Sequence, residues 1–276
     1  MDSRTADLHL HTFYSDGIES PERVVELAKQ AGLSAIAITD HDNTEARAVA
    51  EPAARRLGIE LIPGIEMSAS AEGQEVHVLG LFLDFTHPPL AAHLADQQAR
   101  RVRRVHEMVR RLGEVGVRIT AVEILALAGV GTVGRPHVAR ILLKHGYISA
   151  LPEAFARFIG PGNPGFVPGS PMPPSRVISL IRDAGGVPVL AHPVYLKGDA
   201  FIDAFVKDGL AGLEVYHSSH TPEQVRHYEE IAVRLKLLKT GGSDFHHGDS
   251  NEGLPVGAVK VPYELVEALR QWTTAR

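Results

Sequence analysis

The chain has 276 residues, of which 44% are hydrophobic and 22% are charged, and it contains no cysteine. Such values are typical of a soluble globular protein with one large domain or two small ones, and they exclude a disordered chain, a coiled coil and a collagen. The lack of cysteine excludes disulfide scaffolds, thiolate zinc sites, iron–sulfur clusters and cysteine nucleophiles. Because the sequence shows neither a transmembrane stretch nor a signal-peptide pattern, we expect a cytoplasmic protein.

Charge is distributed unevenly along the chain. The formal net charge is −5, yet residues 88–174 carry 11 Lys and Arg against 5 Asp and Glu. The remaining residues are therefore strongly acidic. An acidic body suits the binding of cations, and a basic segment suits an anionic substrate. Uneven surface charge without a functional role is the alternative interpretation, and composition does not decide between the two.

The first part of the chain alternates short apolar runs with helical patterns. Strands are predicted at residues 5–10, 34–39, 59–62 with a continuation at 65–69, and 75–82. A first helix is predicted between the N-cap Ser20 and Gly32. A second is predicted between a capping box of Asp42 with Glu45 and the terminal Gly58.

The same alternation resumes after residue 174. Strands are predicted at 187–191, 212–216 and 237–240, with helices after Ser175 and near 199–207, 222–235 and 263–272. Repeated strand–helix units imply a parallel sheet or barrel with right-handed crossovers. Residues 88–174 instead show long helical patterns without a convincing strand. We therefore predict an α/β protein in which residues 1–87 and 175–276 form a β/α barrel and residues 88–174 form an inserted helical domain.

Nearly every predicted strand ends in His, Asp or Glu. His9 and His11 share one face of the first strand, because alternate residues of a strand point the same way. The other candidates are Asp16, His41, Glu66, His77, His192, Asp244 and His246. The carboxyl ends of barrel strands meet at one mouth, where active sites lie. Because these nine groups are too many for one tetrahedral ion, we predict a cluster of two or three divalent ions.

For any one of the histidines, the alternative is a buried core residue whose hydrogen bonds are made by other protein groups. Burying so many polar groups without an ion would cost several kcal/mol, which argues against that interpretation for the set as a whole. Imidazole and carboxylate ligands together suit manganese, zinc or iron. We expect manganese.

Taken together, these motifs resemble those of the PHP (polymerase and histidinol phosphatase) family, which is related to the amidohydrolases. The matching segments are residues 7–12 with Asp16 and Gly17, residues 39–42, 63–66, 191–193 and 243–246. The resemblance implies a distorted (β/α)7 barrel with a two- or three-metal site. It implies one ion held by His9, His11, Glu66 and Asp244, a second by Asp16, His41 and His192, and a third by His77 and His246, with Glu66 as a bridge.

Close cations of this kind would activate a bound water and neutralise charge on a phosphate. The predicted nucleophile is therefore a metal-bound hydroxide. Asp40 is a candidate for orienting His41 or a neighbouring ligand. His217, which ends a strand, is a candidate donor to a phosphate oxygen or to the leaving group, although a surface position would also fit the pattern.

The predicted helical insert carries the candidate substrate contacts. Residues 134–137 read as a loop entering a helix, and a helix N-terminus with an adjacent Arg is a natural phosphate site. This run also resembles the insert of the small phosphoesterase branch of the family. The candidates in the insert are Arg135, His137, Arg101 and Arg104, and Asn43 is a further candidate outside it. For the arginines, a solvated basic face or a structural salt bridge is the alternative.

The resemblance implies an enzyme that removes the 3′-phosphate from nucleoside 3′,5′-bisphosphates, for example adenosine 3′,5′-bisphosphate, while the insert holds the 5′-phosphate. A 5′-to-3′ exoribonuclease acting on short 5′-phosphorylated RNA is the first alternative. A histidinol-phosphate phosphatase, an amide hydrolase and a non-catalytic metal-binding module are the others. The expected partner is thus a small nucleotide or a short RNA, with no membrane and no obligate protein partner.

Overall fold

A computed structural model describes residues 3–169, 172–246 and 254–275. The strands in these ranges are β1 Thr5–Leu10, β2 Ala35–Ile38, β3 Glu60–Ala71, β4 Gln74–Leu81, β5 Val187–Leu190, β6 Gly212–His217, β7 Leu238–Gly242 and β8 Val261–Pro262. The α-helices are α1 Pro21–Gln30, α2 Ala46–Leu57, α3 Pro88–Glu114, α4 Ala121–Ala128, α5 Arg135–Lys144, α6 Leu151–Ala154, α7 Pro174–Asp183, α8 Ala200–Lys207, α9 Pro222–Leu235 and α10 Tyr263–Thr274. None of the described helices is long and apolar enough to span a membrane.

Side-chain capping explains where α1 begins but not where α2 begins. The Ser20 side chain accepts the backbone N–H of Arg23 at 3.1 Å, which confirms the predicted N-cap of α1. The predicted capping box at the start of α2 is wrong, because α2 begins at Ala46. The Asp42 carboxylate instead accepts the backbone N–H of Ser68 at 2.9 Å. Asp42 is therefore drawn away from the helix and toward β3.

The strands form one curved sheet in the order β7-β6-β5-β4-β3-β2-β1-β8. The segment after β7 then pairs with the end of β1. The Asp244 N–H donates to the His9 carbonyl at 3.0 Å, and the His11 N–H donates to the Phe245 carbonyl at 2.8 Å. These bonds nearly close the sheet into a barrel, with helices packed around it. The predicted distorted α/β barrel is confirmed.

Two strands depart from the parallel arrangement that the sequence predicts. β4 is antiparallel to both β3 and β5, and the short β8 is antiparallel to β1. The reason is the connection between β3 and β4, a two-residue turn at Glu72 and Gly73, both of which have positive φ. A turn of this length can join only antiparallel neighbours, since a parallel crossover needs a dozen or more residues.

The helical segment between β4 and β5 has an apolar cluster of its own. Its buried members include Met108, Leu112, Ile124, Val138 and Leu142. The first turns of α3 pack instead against the barrel, where Leu90 and Leu94 join the apolar cluster around Ile181. This one helix of 27 residues therefore runs from the barrel into the helical segment and places α5 beside the barrel mouth.

Candidate metal centre

The nine predicted ligands converge in the structure, because each lies in a strand or within a few residues of its end. They are His9, His11, Asp16, His41, Glu66, His77, His192, Asp244 and His246, and every one of them has an atom within 4 Å of an ionisable group of another member. Glu66 lies at the middle of the group, with 1% of its side chain exposed. Burial favours the neutral form of Glu66, but the surrounding histidines hold its pKa well below the usual range.

The first group consists of Glu66, Asp244 and the two histidines of β1. His9 Nε2 and His11 Nε2 lie 3.3 and 3.2 Å from Glu66 Oε2, and at the same distances from Asp244 Oδ1. Both nitrogens and Glu66 Oε2 are buried without a hydrogen-bond partner among the residues that the structure describes. Buried polar atoms without a partner are costly. Their convergence on one point fits a bound cation.

The second group is formed by Asp16, His41 and His246, with His11 at its edge. His246 Nε2 lies 3.2 Å from Asp16 Oδ1, and His41 Nε2 lies 3.7 Å from Asp16 Oδ2. One ligand atom from each of the four residues lies within 4.8 Å of the others. Burial lowers the pKa of His41 to about 3, so this imidazole remains neutral and keeps a lone pair for a cation.

The third group faces the other oxygen of Glu66. His77 Nδ1 and His192 Nε2 lie 3.0 and 2.9 Å from Glu66 Oε1, and 3.3 Å from each other. Glu66 therefore presents Oε2 to one group and Oε1 to another. This position is consistent with the bridging role that the family resemblance implies.

The structure exchanges two histidines relative to the grouping that the resemblance implies. His192 lies with His77, and His246 lies with Asp16. The topology explains the exchange, because antiparallel β4 carries His77 beside β5, whose end carries His192. The segment after β7 instead pairs with β1, which places His246 near Asp16.

Glu214, which the sequence analysis did not identify, orients ligands from two groups. Its Oε1 accepts a hydrogen bond from His9 Nδ1 at 2.9 Å, and its Oε2 accepts the backbone N–H of His192 at 2.7 Å. This carboxylate is fully buried on β6. A Glu within an otherwise apolar predicted strand is the signal that could have revealed it. Because His9 donates from Nδ1, its Nε2 lone pair is directed at the cluster.

Asp40 connects to His11 through Ser15. It accepts hydrogen bonds from the N–H and the hydroxyl of Thr12 at 2.8 and 2.7 Å, and from the Ser15 hydroxyl at 2.6 Å. The Ser15 oxygen in turn lies 3.2 Å from His11 Nδ1. Burial raises the pKa of Asp40 to about 6. Of the two targets predicted for Asp40, His41 or a neighbouring ligand, the contacts therefore favour the neighbouring ligand His11.

His217 lies beside the cluster with a defined tautomer. Its Nδ1 accepts the backbone N–H of Ser219 at 3.0 Å, so a neutral ring carries its proton on Nε2. That Nε2 lies 3.4 Å from Asp244 Oδ2. Burial opposes protonation of His217, but Glu214 and Asp244 outweigh it and raise its pKa. The buried position excludes the surface alternative.

A chain of cavities connects the cluster to the helical segment. A cavity of about 300 Å³ contains Glu66, His77 and Arg135 in its lining. A smaller one of about 130 Å³ joins it to a third of about 380 Å³, which is lined by four arginines of α3. These are Arg100, Arg101, Arg103 and Arg104. We call the second and third cavities together the basic groove.

Three of the five predicted substrate contacts line this groove. Arg101 donates to Asp42 Oδ2 and to the Ser68 hydroxyl, both at 2.8 Å, and Arg135 forms an ion pair with Glu75. Both guanidinium groups therefore have a protein partner. Arg104 differs, because its Nε donates to a backbone carbonyl at 2.9 Å while its buried Nη2 has no partner in the part of the chain that the structure describes.

The other two predicted contacts line none of these three cavities. Asn43 Oδ1 accepts the backbone N–H of Glu45 at 2.8 Å and stabilises the loop before α2. His137 is 2% exposed, and its Nδ1 accepts the backbone N–H of Gly134 at 3.1 Å. It therefore caps the first turn of α5. Both side chains therefore have a structural role, and neither lines the cavities that contain the three arginine candidates.

The buried cap makes His137 a determinant of acid stability. Burial lowers its pKa to about 4, from 6.5 in the unfolded chain, so its contribution is complete above pH 6.5 and is lost as the pH falls toward 4. At pH 5 the loss should be about 2 kcal/mol. His137→Gln retains a capping acceptor but has no imidazole to protonate. Between pH 7 and pH 5 we expect its unfolding free energy to fall by about 2 kcal/mol less than that of the unmodified protein. Urea unfolding at both pH values measures the difference.

The exposed His106 on α3 provides the control for this experiment. His106→Gln should show the same change of unfolding free energy with pH as the unmodified protein, because this exposed side chain does not cap a helix. Equal pH dependence for His137→Gln and the unmodified protein would contradict the assignment.

A β/α barrel with a buried His, Asp and Glu cluster beside an arginine-lined groove defines a metal-dependent hydrolase of anionic esters. The PHP domain model matches residues 7–145. A 5′-3′ exoribonuclease of Haemophilus influenzae is 36% identical over 245 residues, covering 87% of this chain and 89% of that protein. A 3′,5′-nucleoside bisphosphate phosphatase of Chromobacterium violaceum is 32% identical over 246 residues, covering 87% and 86%.

A solved structure extends the similarity to nearly the whole chain. The crystal structure of a predicted metal-dependent phosphoesterase from Bifidobacterium adolescentis superposes with a TM-score of 0.89 and is 35% identical, covering 97% of this chain and 96% of that one. The chain belongs to the PHP family. Fold, ligand cluster and relatives together identify it as a metal-dependent phosphoesterase.

Proposed function

We propose that this protein removes the 3′-phosphate from nucleoside 3′,5′-bisphosphates, yielding the nucleoside 5′-monophosphate and inorganic phosphate. The observation that carries the proposal is Arg104 in the basic groove. Among the described residues, its buried Nη2 has no hydrogen-bond partner and its guanidinium forms no ion pair. Burial lowers its pKa to about 10, although the nearby Glu75 carboxylate opposes this shift. A buried cation of this kind is costly unless an anion completes it.

A second phosphate of the substrate supplies the missing anion. Arg101 and Arg135 line the same groove as Arg104, and its five arginines outnumber its four carboxylates, so an anion there meets a net positive charge. The groove shares lining residues, among them His77 and Arg135, with the cavity of the metal centre, where the phosphate to be hydrolysed would lie. A substrate with two phosphates on one ribose can reach both places at once. The remote contact would then position the reacting group.

Different residues of the chain have different roles at the reacting phosphate. When bound, divalent ions held by the nine ligands would polarise the phosphate oxygens and supply hydroxide at neutral pH. His9, Glu214 and His192 form one connected unit that fixes the ligand geometry. His217 keeps a proton on Nε2 toward the cluster, and we assign it as the donor to the departing ribose 3′-oxygen. Manganese is the metal that we propose.

A second candidate is the removal of nucleotides from the 5′ end of short RNA. The larger cavity of the groove, about 380 Å³, continues past Arg104 to Arg100 and Arg103, which leaves space for further backbone phosphates. A 3′-phosphodiester presents the same phosphorus to the metal centre, with the rest of the RNA as leaving group. The 36% identity with an exoribonuclease supports this candidate as well.

One assay separates these functions. After chelation of other metals and addition of manganese, product release is measured from adenosine 3′,5′-bisphosphate, 3′-AMP, 5′-AMP and a short 5′-phosphorylated RNA. We expect rapid release from the bisphosphate and slow release from both monophosphates. Preferential cleavage of the RNA would identify the second candidate instead. Inactivity on all four substrates would contradict both proposals.

Because Arg104 Nη2 lacks a partner among the described residues, we predict that a substitution of Arg104 affects substrates with one and with two phosphates differently. Arg104→Gln should raise the KM for adenosine 3′,5′-bisphosphate by about 10- to 100-fold, because a buried charge-assisted contact to the second phosphate is lost. The KM for 3′-AMP, which lacks that phosphate, should change by less than about threefold. Steady-state kinetics on the two substrates measures both effects.

Arg110 on the same helix is the matched control. It is 57% exposed, does not itself line the groove, and pairs with Glu114 and with Glu107, a groove residue that Arg111 also holds. Arg110→Gln should leave both KM values unchanged. An equal increase in KM for bisphosphate and monophosphate in Arg104→Gln would refute recognition of a second phosphate by this residue.

A further inference from the structure

Tyr195 is an exposed aromatic residue at the metal cavity. It ends the short 3-10 turn Pro193–Tyr195, which directly follows the ligand His192. The residue is 62% exposed, and it lines the same cavity of about 300 Å³ as Glu66 and Arg135. Tyr195 is not one of the nine predicted metal ligands.

Two contacts hold this side chain in place despite its exposure. The ring packs against the His192 imidazole, with 5.2 Å between centroids. The hydroxyl forms a hydrogen bond of 2.8 Å with the Ser219 hydroxyl on the loop after β6. A ring fixed at its base and at its tip loses little conformational entropy when a flat ligand covers it. It is preorganised for stacking.

The surroundings of Tyr195 differ from the rest of the site. Val76 and Leu196 line the same cavity, so its lining is partly apolar although the metal ligands dominate it. In the described part of the chain, the other exposed aromatic ring is Phe13, which is 38% exposed and stacks on Tyr14. Tyr195 therefore combines exposure, fixation and contact with the metal cavity.

We propose that the nucleobase of the substrate stacks on Tyr195 and that this contact makes the enzyme prefer nucleoside bisphosphates to base-free sugar bisphosphates. The inference rests on the proposed function, because it requires a substrate with a base close to the phosphate at the metals. Stacking on an aromatic ring is tolerant of sequence, since every base has a π-face. We therefore expect all four bases to be accepted, with a gain of about 5- to 100-fold in kcat/KM over a substrate without a base.

The test compares adenosine 3′,5′-bisphosphate with 1-deoxyribose 3,5-bisphosphate, which has the same phosphates and no base. kcat/KM is measured with manganese for the unmodified enzyme, Tyr195→Ala and Tyr195→Phe. We expect the unmodified enzyme and Tyr195→Phe to prefer the nucleotide by at least about fivefold. Tyr195→Ala should lose this preference because its kcat/KM for the nucleotide falls selectively, with its metal content unchanged.

Three results would overturn the inference. Equal rates of the unmodified enzyme on the two substrates would reject base recognition and leave the proposed function intact. An equal loss on both substrates in Tyr195→Ala, with less bound metal, would show that the ring supports His192 instead. Inactivity of the unmodified enzyme on both substrates would overturn the proposed function itself, and the stacking role with it.

Discussion

Glu66→Gln is expected to reduce phosphate release by at least about a thousandfold, because loss of metal-based charge stabilisation removes several kcal/mol at about 1.4 kcal/mol per tenfold in rate. The two oxygens of Glu66 face different ligand groups, His9 with His11 on one side and His77 with His192 on the other. A glutamine offers one oxygen and an amide nitrogen that cannot bind a cation. Phosphate release, with metal content determined by mass spectrometry, measures the effect.

The control for this substitution lies six residues along the same hairpin. Glu72 is exposed in the turn between β3 and β4, and Glu72→Gln should keep full activity and metal content. Circular dichroism of both variants verifies the fold. Full metal content and full activity in Glu66→Gln would be incompatible with a bridging ligand at this position.

Glu214→Ala is expected to reduce activity and metal affinity by about 10- to 100-fold, the usual effect of losing a partner that orients metal ligands. The substitution leaves the His9 Nδ1 proton and the His192 N–H without acceptors, which should also lower the unfolding free energy by about 1–3 kcal/mol per group. Metal titration of the chelated protein and thermal unfolding measure the two effects separately.

Two further variants define what Glu214 does. Glu214→Gln keeps one acceptor oxygen and should recover part of the metal affinity, whereas a purely structural role would show recovery of stability alone. Glu223 on α9 has a side chain that is 74% exposed, and Glu223→Ala is the control without effect on metal affinity. Unchanged metal affinity in Glu214→Ala would exclude the orienting role.

The sequence predicted the ligand-type residues because their positions follow from local patterns. A strand of apolar residues that ends in His, Asp or Glu can be recognised in a window of six residues, and the barrel brings all such ends to one mouth. The partition among groups could not be predicted in this way. The grouping depends on which strands are neighbours in the sheet. That β4 pairs with β5 in antiparallel orientation becomes apparent only in the folded sheet.

Long-range partners explain the remaining differences. Asp42 has the local pattern of a helix cap, but its carboxylate pairs with Arg101, which lies 59 residues later in the chain. Glu214 reaches His9 across 205 residues. Neither contact leaves a signal in neighbouring residues, because it arises only when separate elements pack together. The same holds for Arg104 and Arg110. Both lie on α3, but only Arg104 lies on the side of the helix that faces the groove.

The closure of the barrel between β1 and Phe245 has a consequence for biosynthesis. His9 and His11 are synthesised long before Asp244. N-terminal parts leave the ribosome first, so these two histidines can meet Glu66 early but must wait for the segment after β7 before Asp244 joins them. The complete group therefore forms only after that segment has been synthesised. Sites of this type accept several metals, so we expect the ions available at that stage to influence which metal the enzyme holds.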